Sequence, residues 1–357
     1  MGRGAWLASK RSIVLPINPV FERYSRQILF SGLGEEGQRK LLASSAVIVG
    51  CGAIGASVAQ LLARAGVGRL RLIDRDFVEG SNLQRQALFD ENDARESLPK
   101  AMAAERKLRQ LNSEINIEGV VADLTPRNVA DLLDGFDLIL DGTDNFETRF
   151  LVNDFALQAL RPWIYAAAVG SYGLTFTVRP GITACLACLL ETPDAGSLLE
   201  ETCDTVGVIG PIVNLVASLE AAEALKILSG HTEALHGRLL SGDVWSGKMQ
   251  SIAILRDPRC RACARHEYSY LRGKSQPHIT MCGRDSVQIH EHRRSLDLVA
   301  LSEKLSALGI VVKKNDFLLK FGIAAYELTV FADGRAILKG ATDPAVARSL
   351  YARYVGA

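Results

Sequence analysis

The apolar residues in the first half of the chain come in short continuous runs rather than in alternation. Ser45–Val49 and residues 69–73 are two such runs, and strands buried on both faces are expected of them. Between them lie Gly50-Cys51-Gly52-Ala53-Ile54-Gly55 and an Ala-rich stretch through Ala65 that Gly66 and Gly68 end. Strand, glycine-rich turn, helix and strand in that order predict a βαβ unit in a parallel sheet. The same pattern predicts a helix over Lys100–Leu111, strands over 115–121 and 138–140, and a helix over 154–160. Strands follow at Trp163–Val169 and 175–178, then a largely helical stretch over 208–228 with a break at Gly210-Pro211. Residues 21–42 read as an arm plus a short helix, and residues 1–20 as a loose N-terminal tail.

Gly, Lys, Ser, Gln and Pro cluster at 268–278, which marks a boundary. Beyond it the pattern changes. Leu298, Leu301, Leu305 and Leu308 have helical spacing, while Tyr326, Leu328 and Val330 alternate like a strand. Ala332-Asp333-Gly334-Arg335 is a hairpin turn signal, and Asp343-Pro344 opens a last helix with Asp as its cap. The expected fold class is α/β: a Rossmann-like, mostly parallel sheet with helices on both faces over 21–270, and a small C-terminal α/β domain over 279–357.

Composition narrows the function classes. With 48% hydrophobic and 23% charged residues among 357, the chain has ample core-forming residues and no disordered character. Its net charge of +1 excludes a strong electrostatic pull toward nucleic acid. The longest apolar stretch, 206–219, is stopped by Glu220 and holds Pro211 and Asn214, too short for a membrane span. The N-terminus lacks the apolar core and cleavage site of a secretory signal, so a cytoplasmic enzyme is expected.

Seven cysteines, an odd number, argue against a fully paired disulfide framework. Four of them form Cys185-x-x-Cys188 and Cys260-x-x-Cys263, two knuckles that together supply the four thiolates of a closed structural Zn²⁺ site. No position is left open for water there, and the distance between the pairs makes the site a staple rather than a finger.

Gly50, Gly52 and Gly55 fit the G-x-G-x-x-G fingerprint, with Asp74 at the end of the next strand to accept ribose hydroxyls. These features alone suit NAD at least as well as ATP. The following residues tip the balance. Asp74-Arg75-Asp76-Phe77-Val78-Glu79-Gly80-Ser81-Asn82-Leu83-Gln84-Arg85-Gln86 resembles a signature of the ThiF/MoeB activating enzymes, the E1-like adenylyltransferases. So do Arg23-Tyr24-Ser25-Arg26-Gln27, Leu98-Pro99-Lys100 and Asp141-Gly142-Thr143-Asp144-Asn145. The resemblance covers residues 21–267, with Ala53 where the family often has Gly.

The resemblance implies ATP-dependent adenylylation of the C-terminal Gly carboxylate of a ubiquitin-like sulfur-carrier protein of the ThiS/MoaD type, ending in Gly-Gly. Such carriers serve thiamine, molybdopterin, cysteine or tRNA sulfur chemistry. The expected cofactor-binding set is Gly50, Gly52, Ala53, Gly55, Asp74, Asp76, Asn82, Arg85, Lys100, Asp144 and Asn145. The physics agrees: two anions must meet, so Arg85 and Lys100 are suited to grip the triphosphate, Asn82 to donate to it, and Asp144 to hold Mg²⁺. The Arg corresponding to Arg26 reaches the partner subunit's nucleotide in the family, which implies a homodimer. Cys203 falls on a loop the family places over the site, with a role in acyl or sulfur transfer expected. Three other readings stand beside this one: an E1-like enzyme acting on a small molecule or a tRNA, an NAD-dependent oxidoreductase, and an inactive carrier-binding scaffold. Arg26, Asn82, Arg85, Lys100 and Asp144, all present, weigh against the last. The C-terminal domain is expected to be a docking surface or a supporting appendage.

Overall fold

The computed structural model describes residues 19–190, 206–273, 280–281, 286–289, 296–341 and 343–356. The short apolar runs form the centre of an eight-stranded sheet: β1 (Ser45–Val49), β2 (Arg69–Asp74), β3 (Asn116–Val121), β4 (Leu138–Asp141), β5 (Trp163–Val169), β6 (Tyr172–Val178), β7 (Leu239–Asp243) and β8 (Lys248–Ile252). The spatial order is β3-β2-β1-β4-β5-β6-β7-β8. Pairings from β3 to β5 are parallel and those from β5 to β8 antiparallel.

The strands are apolar throughout because both faces are covered. Alternate residues go to opposite sides. Ile48, Leu70, Leu72, Leu140 and Ile164 pack with helices Ala53–Ala65, Lys100–Leu111 and Gly210–Ser229. Val47, Val49, Ile73, Ile139 and Trp163 pack with helix Phe146–Gln158 and the four clustered cysteines. Chain order reverses between β1 and β4, whose neighbours lead away in opposite directions. Val49 pairs with Ile73 on one side and Asp141 on the other, so the carboxyl ends of β1, β2 and β4 lie side by side at that switch point.

The second sheet is entirely antiparallel, in the order β11-β12-β13-β14-β10-β9. Its strands are β9 (Thr280–Met281), β10 (Ser286–Ile289), β11 (Val312–Lys314), β12 (Leu318–Ile323), β13 (Tyr326–Phe331) and β14 (Ala336–Lys339). Leu301, Leu305 and Tyr351 from helices Leu298–Ala307 and Pro344–Tyr354 cover one face, against Leu319, Phe321, Leu328, Val330 and Leu338. The Asp343 carboxylate caps the latter helix by accepting from Ala345 N at 2.8 Å. Among the described residues no helix is long and apolar enough to cross a membrane.

Two expectations from periodicity shift. The helix expected at 154–160 begins at Phe146, capped by the Asn145 side chain, which accepts from Thr148 N at 2.8 Å. It is buried nearly all round, so no polar stripe marks its first two turns. The expected break at Gly210-Pro211 is instead the start of helix Gly210–Ser229, with Pro at its opening turn where a missing N–H costs nothing.

Helix Phe146–Gln158 also anchors the cysteine-bearing loop. Fully buried Asp154 takes Arg261 Nη1 at 3.2 Å and Tyr270 N at 3.0 Å, and the rings of Phe150 and Tyr270 stack at 5.0 Å. Asp154→Ala should therefore cost about 3 kcal/mol, the range for breaking a buried ion pair. Urea denaturation of wild type and variant measures it.

Candidate functional site

Backbone contact shapes the site. Gly50 has φ +90° and its N–H donates to Ile73 O at 2.7 Å, which turns the chain sharply out of β1. A Cβ at Gly55 would meet Gly50 O at 1.9 Å, and one at Gly142 would meet Gly50 O at 2.2 Å and Gly55 Cα at 2.7 Å. The turns after β1 and β4 are thus in direct main-chain contact. Gly52 differs: the nearest atom to an added Cβ is Gly142 O, at 3.6 Å. No protein packing demands glycine there, whereas a phosphate close to the backbone at the N-terminus of helix Ala53–Ala65 would. Ala53 opens that helix, half-buried.

Asp74 lies at the end of β2 and holds the turn. Its carboxylate accepts from Cys51 N and from Asp76 N, both at 2.6 Å. Burial pushes the Asp74 carboxyl above its usual range, against the pull of Lys100. Burial likewise raises the Cys51 thiol, which makes Cys51 an inert filler. Asp76 and Lys100 form an ion pair at 3.3 Å, and Lys100 N donates to Asp76 O at 2.8 Å. Arg75 pairs with Asp123 at 3.1 Å. The glycine-rich turn is thereby ringed by Asp74, Asp76 and Lys100.

Asn82 is buried, and its side-chain oxygen takes Glu79 N at 3.1 Å in a capping box, while its amide nitrogen has no hydrogen-bond partner among the described residues. Arg85 is half-buried and donates to Ser81 O at 2.9 Å; Gln84 O and Arg85 Cα border Gly210 at the start of helix Gly210–Ser229. Asp144 is exposed, one residue from Asn145, whose oxygen is occupied in capping the helix. Arg26 is exposed and takes no hydrogen bond or ion pair among the described residues. Cys203 lies outside the described residues.

Two residues that sequence reasoning passed over support the Asp141–Asn145 turn. Arg149 donates to Asp141 Oδ2 at 2.9 Å, Thr143 O at 2.6 Å and Ala166 O at 3.0 Å. Glu220, fully buried, accepts from Asp141 N at 3.1 Å while its second oxygen has no partner among the described residues. Neither stands out locally, since Glu147 and Asp154 share the helix of Arg149, and Glu223 and Lys226 that of Glu220. Asp141 also accepts from Thr143 N and Oγ1, so its carboxylate is fully used in shaping the turn.

The four cysteine sulfurs all lie within 4.8 Å of one another. Close pairs are Cys188–Cys263 at 3.4 Å, Cys185–Cys260 at 3.7 Å and Cys185–Cys188 at 3.9 Å. Tetrahedral zinc with Zn–S of about 2.3 Å requires sulfurs about 3.8 Å apart, so the donor set fits that ion.

A family model described as the ThiF family matches residues 24–262. The chain belongs to the ThiF family. A "Sulfur carrier protein ThiS adenylyltransferase" of Bacillus subtilis is 43% identical over 94% of this chain and 99% of its own length. An Escherichia coli protein of the same description is 40% identical over 68% of this chain and 95% of itself. The crystal structure of E. coli MccB with ATP is similar with TM-score 0.60 and 29% identity, over 68% of this chain and 74% of that one. This ThiF-family chain is an ATP-using adenylyltransferase, as expected, and nothing in these likenesses favours the alternative oxidoreductase, scaffold and small-molecule or tRNA readings.

The buried Glu220 gives the family site a pH signature. Burial, then the Asp141 charge, raises its carboxyl well above 4.5. An acid whose folded pKa is raised destabilises the fold above its unfolded pKa, because only the unfolded chain ionises cheaply. Wild-type stability should fall as pH rises from about 5 toward 8, whereas Glu220→Gln, which keeps the acceptor for Asp141 N, should show a flatter profile and a higher Tm at pH 8. Thermal melts across that range check it.

Proposed function

We propose that the protein adenylylates the C-terminal carboxylate of a ubiquitin-like sulfur-carrier protein ending in Gly-Gly, releasing pyrophosphate. The observation that carries this is the glycine-rich turn held against Gly142, in a chain 43% identical to a ThiS adenylyltransferase over nearly its full length. In this reading residues 21–270 are the adenylation domain and residues 279–357 a second domain.

ATP lies with its phosphates on the Gly50–Gly55 turn, where Gly52 gives close access and the helix dipole attracts anions. Asp74 and Asp76 lie toward the ribose. Lys100, Arg85 and the unpartnered Asn82 amide offset the triphosphate charge, so that an incoming carboxylate is not repelled. Asp144, exposed and without a hydrogen bond or ion pair among the described residues, is the residue to hold Mg²⁺, which when bound neutralises phosphate oxygens. Asn145 keeps that turn in place from the helix cap. The carrier carboxylate attacks the α-phosphorus, a P–O bond to pyrophosphate breaks, and an acyl-adenylate results. A tail of two glycines fits because it brings no side chains.

Arg26 belongs to the site of a second copy in a homodimer. Its support is an exposed guanidinium without a hydrogen bond or ion pair among the described residues, beside exposed Leu29 and Phe30. Cys203 is the acceptor in a later step: its thiolate attacks the acyl-adenylate carbonyl, the bond to phosphate breaks, and AMP leaves with the electron pair. Zn²⁺ at Cys185, Cys188, Cys260 and Cys263 is structural, supported by the sulfur spacing.

Carrier-dependent exchange of labelled pyrophosphate into ATP tests the reading. Wild type should exchange, Asp144→Asn should lose about 100-fold or more in kcat/KM, and Cys203→Ala should retain exchange. A wild-type chain with no exchange for any Gly-Gly carrier would sink the assignment. Zinc quantified by atomic absorption should be about one ion per chain, and its removal by a strong chelator should lower the Tm while Cys185→Ser abolishes retention of the ion.

A further inference from the structure

The second sheet does not stand apart from the nucleotide site. It packs against the reverse side of the strip that carries Asp76 and Lys100. Phe77 forms an antiparallel bridge with Pro99, and Val78 N donates to Leu98 O at 2.8 Å. Together with Lys100 N bonding Asp76 O, residues 76–78 and 98–100 form a short two-stranded ladder. Successive residues on such a strip face opposite ways. Asp76 is turned toward Lys100 and the glycine-rich turn, and Phe77 is turned away, buried in a cluster with Leu318 and Phe331 of the second sheet. The Lys320 ammonium sits over the Phe77 ring, 4.1 Å from its centroid.

One side chain ties this contact to the main chain. Asn315, between β11 and β12, uses both halves of its amide. Its oxygen accepts from Phe317 N at 2.9 Å and Leu318 N at 3.0 Å, which fixes its own turn. Its nitrogen donates to Glu96 O at 3.0 Å and Ser97 O at 3.2 Å, two residues before the ladder. Ser97 has φ +48°, a conformation a non-glycine residue holds only when its surroundings demand it. The chain then passes through Pro99 into Lys100.

We propose that Asn315 is a positioning residue for adenylation: with Leu318, Lys320 and Phe331 it clamps residues 77 and 96–97 and so sets where the Lys100 ammonium meets the nucleotide phosphates. This rests on the adenylation reading above. The effect is a tuning of ATP affinity rather than a switch, in keeping with an E. coli relative of which 95% is matched over only 68% of this chain.

Asn315→Asp is the discriminating variant. The carboxylate still accepts from Phe317 N and Leu318 N, so the turn survives, but both donors to Glu96 and Ser97 are replaced by an anion facing two carbonyls. Titration calorimetry of the full chain with MgATP should give a Kd raised about fivefold, the change expected for one net hydrogen bond. Hydrogen exchange of peptides over 76–80 and 96–101 should quicken in the same variant while helix Gly210–Ser229 stays as protected as in wild type. Lys320→Met should weaken MgATP about twofold and Lys320→Arg should restore the wild-type Kd, since only the latter keeps a cation on the ring. Should Asn315→Asp fold poorly, the two Lys320 variants decide alone. Variants that lower the Tm yet bind MgATP with wild-type Kd would overturn the proposal and leave a merely stabilising contact. A wild-type chain that binds no MgATP would overturn the adenylation reading itself.

Discussion

Main-chain contact between the turns after β1 and β4 is the constraint on which the site depends. Gly50, Gly55 and Gly142 lie so close that a methyl group on Gly55 or Gly142 would strike backbone at 1.9 to 2.2 Å. Neither turn can shift without the other. The turn after β1 is further held from β2 by the Asp74 carboxylate, and the turn after β4 from below by Asp141, Arg149 and Glu220. The two turns, one carrying the glycine-rich backbone and the other Asp144, are thereby fixed relative to each other before any ligand arrives, which is what an electrostatic mechanism requires of its protein.

The charges are arranged in two layers. Those closest to the backbone turns are already paired or used: Asp74 with two N–H groups, Asp76 with Lys100, Asp141 with Arg149. Those toward solvent, Asp144 and Arg26, carry no such bonds among the described residues. The inner layer keeps geometry and holds Lys100 in place, and the outer layer is left open to solvent. This division follows from desolvation. A buried carboxyl without compensation is pushed toward its neutral form, the direction in which burial moves Glu220, whereas an exposed one can wait for a ligand.

Much of this was legible in the sequence. The strands β1 and β2 and helices Ala53–Ala65 and Lys100–Leu111 stand out because glycines punctuate strongly apolar runs, and the knuckle cysteines because two C-x-x-C pairs are rare by chance. The resemblance to the activating enzymes named the chemistry, and the family match agrees. What escaped was of three kinds. Helix Phe146–Gln158 has no polar face to give it away, since the sheet and the cysteine-bearing loop cover it on both sides. The support from Arg149, Glu220 and Asn315 depends on contacts between residues far apart in the chain, which no local pattern records. The strands β7, β8, β11 and β12 were also missed, being short and flanked by polar residues.

The cysteine cluster has a topological consequence. Were its thiolates to share one ion, residues 185 to 260 would close into a ring that contains the helix Gly210–Ser229. Closing so long a loop removes conformational freedom chiefly from the unfolded chain, so the ion would stabilise from a distance the fold that holds Glu220 against Asp141.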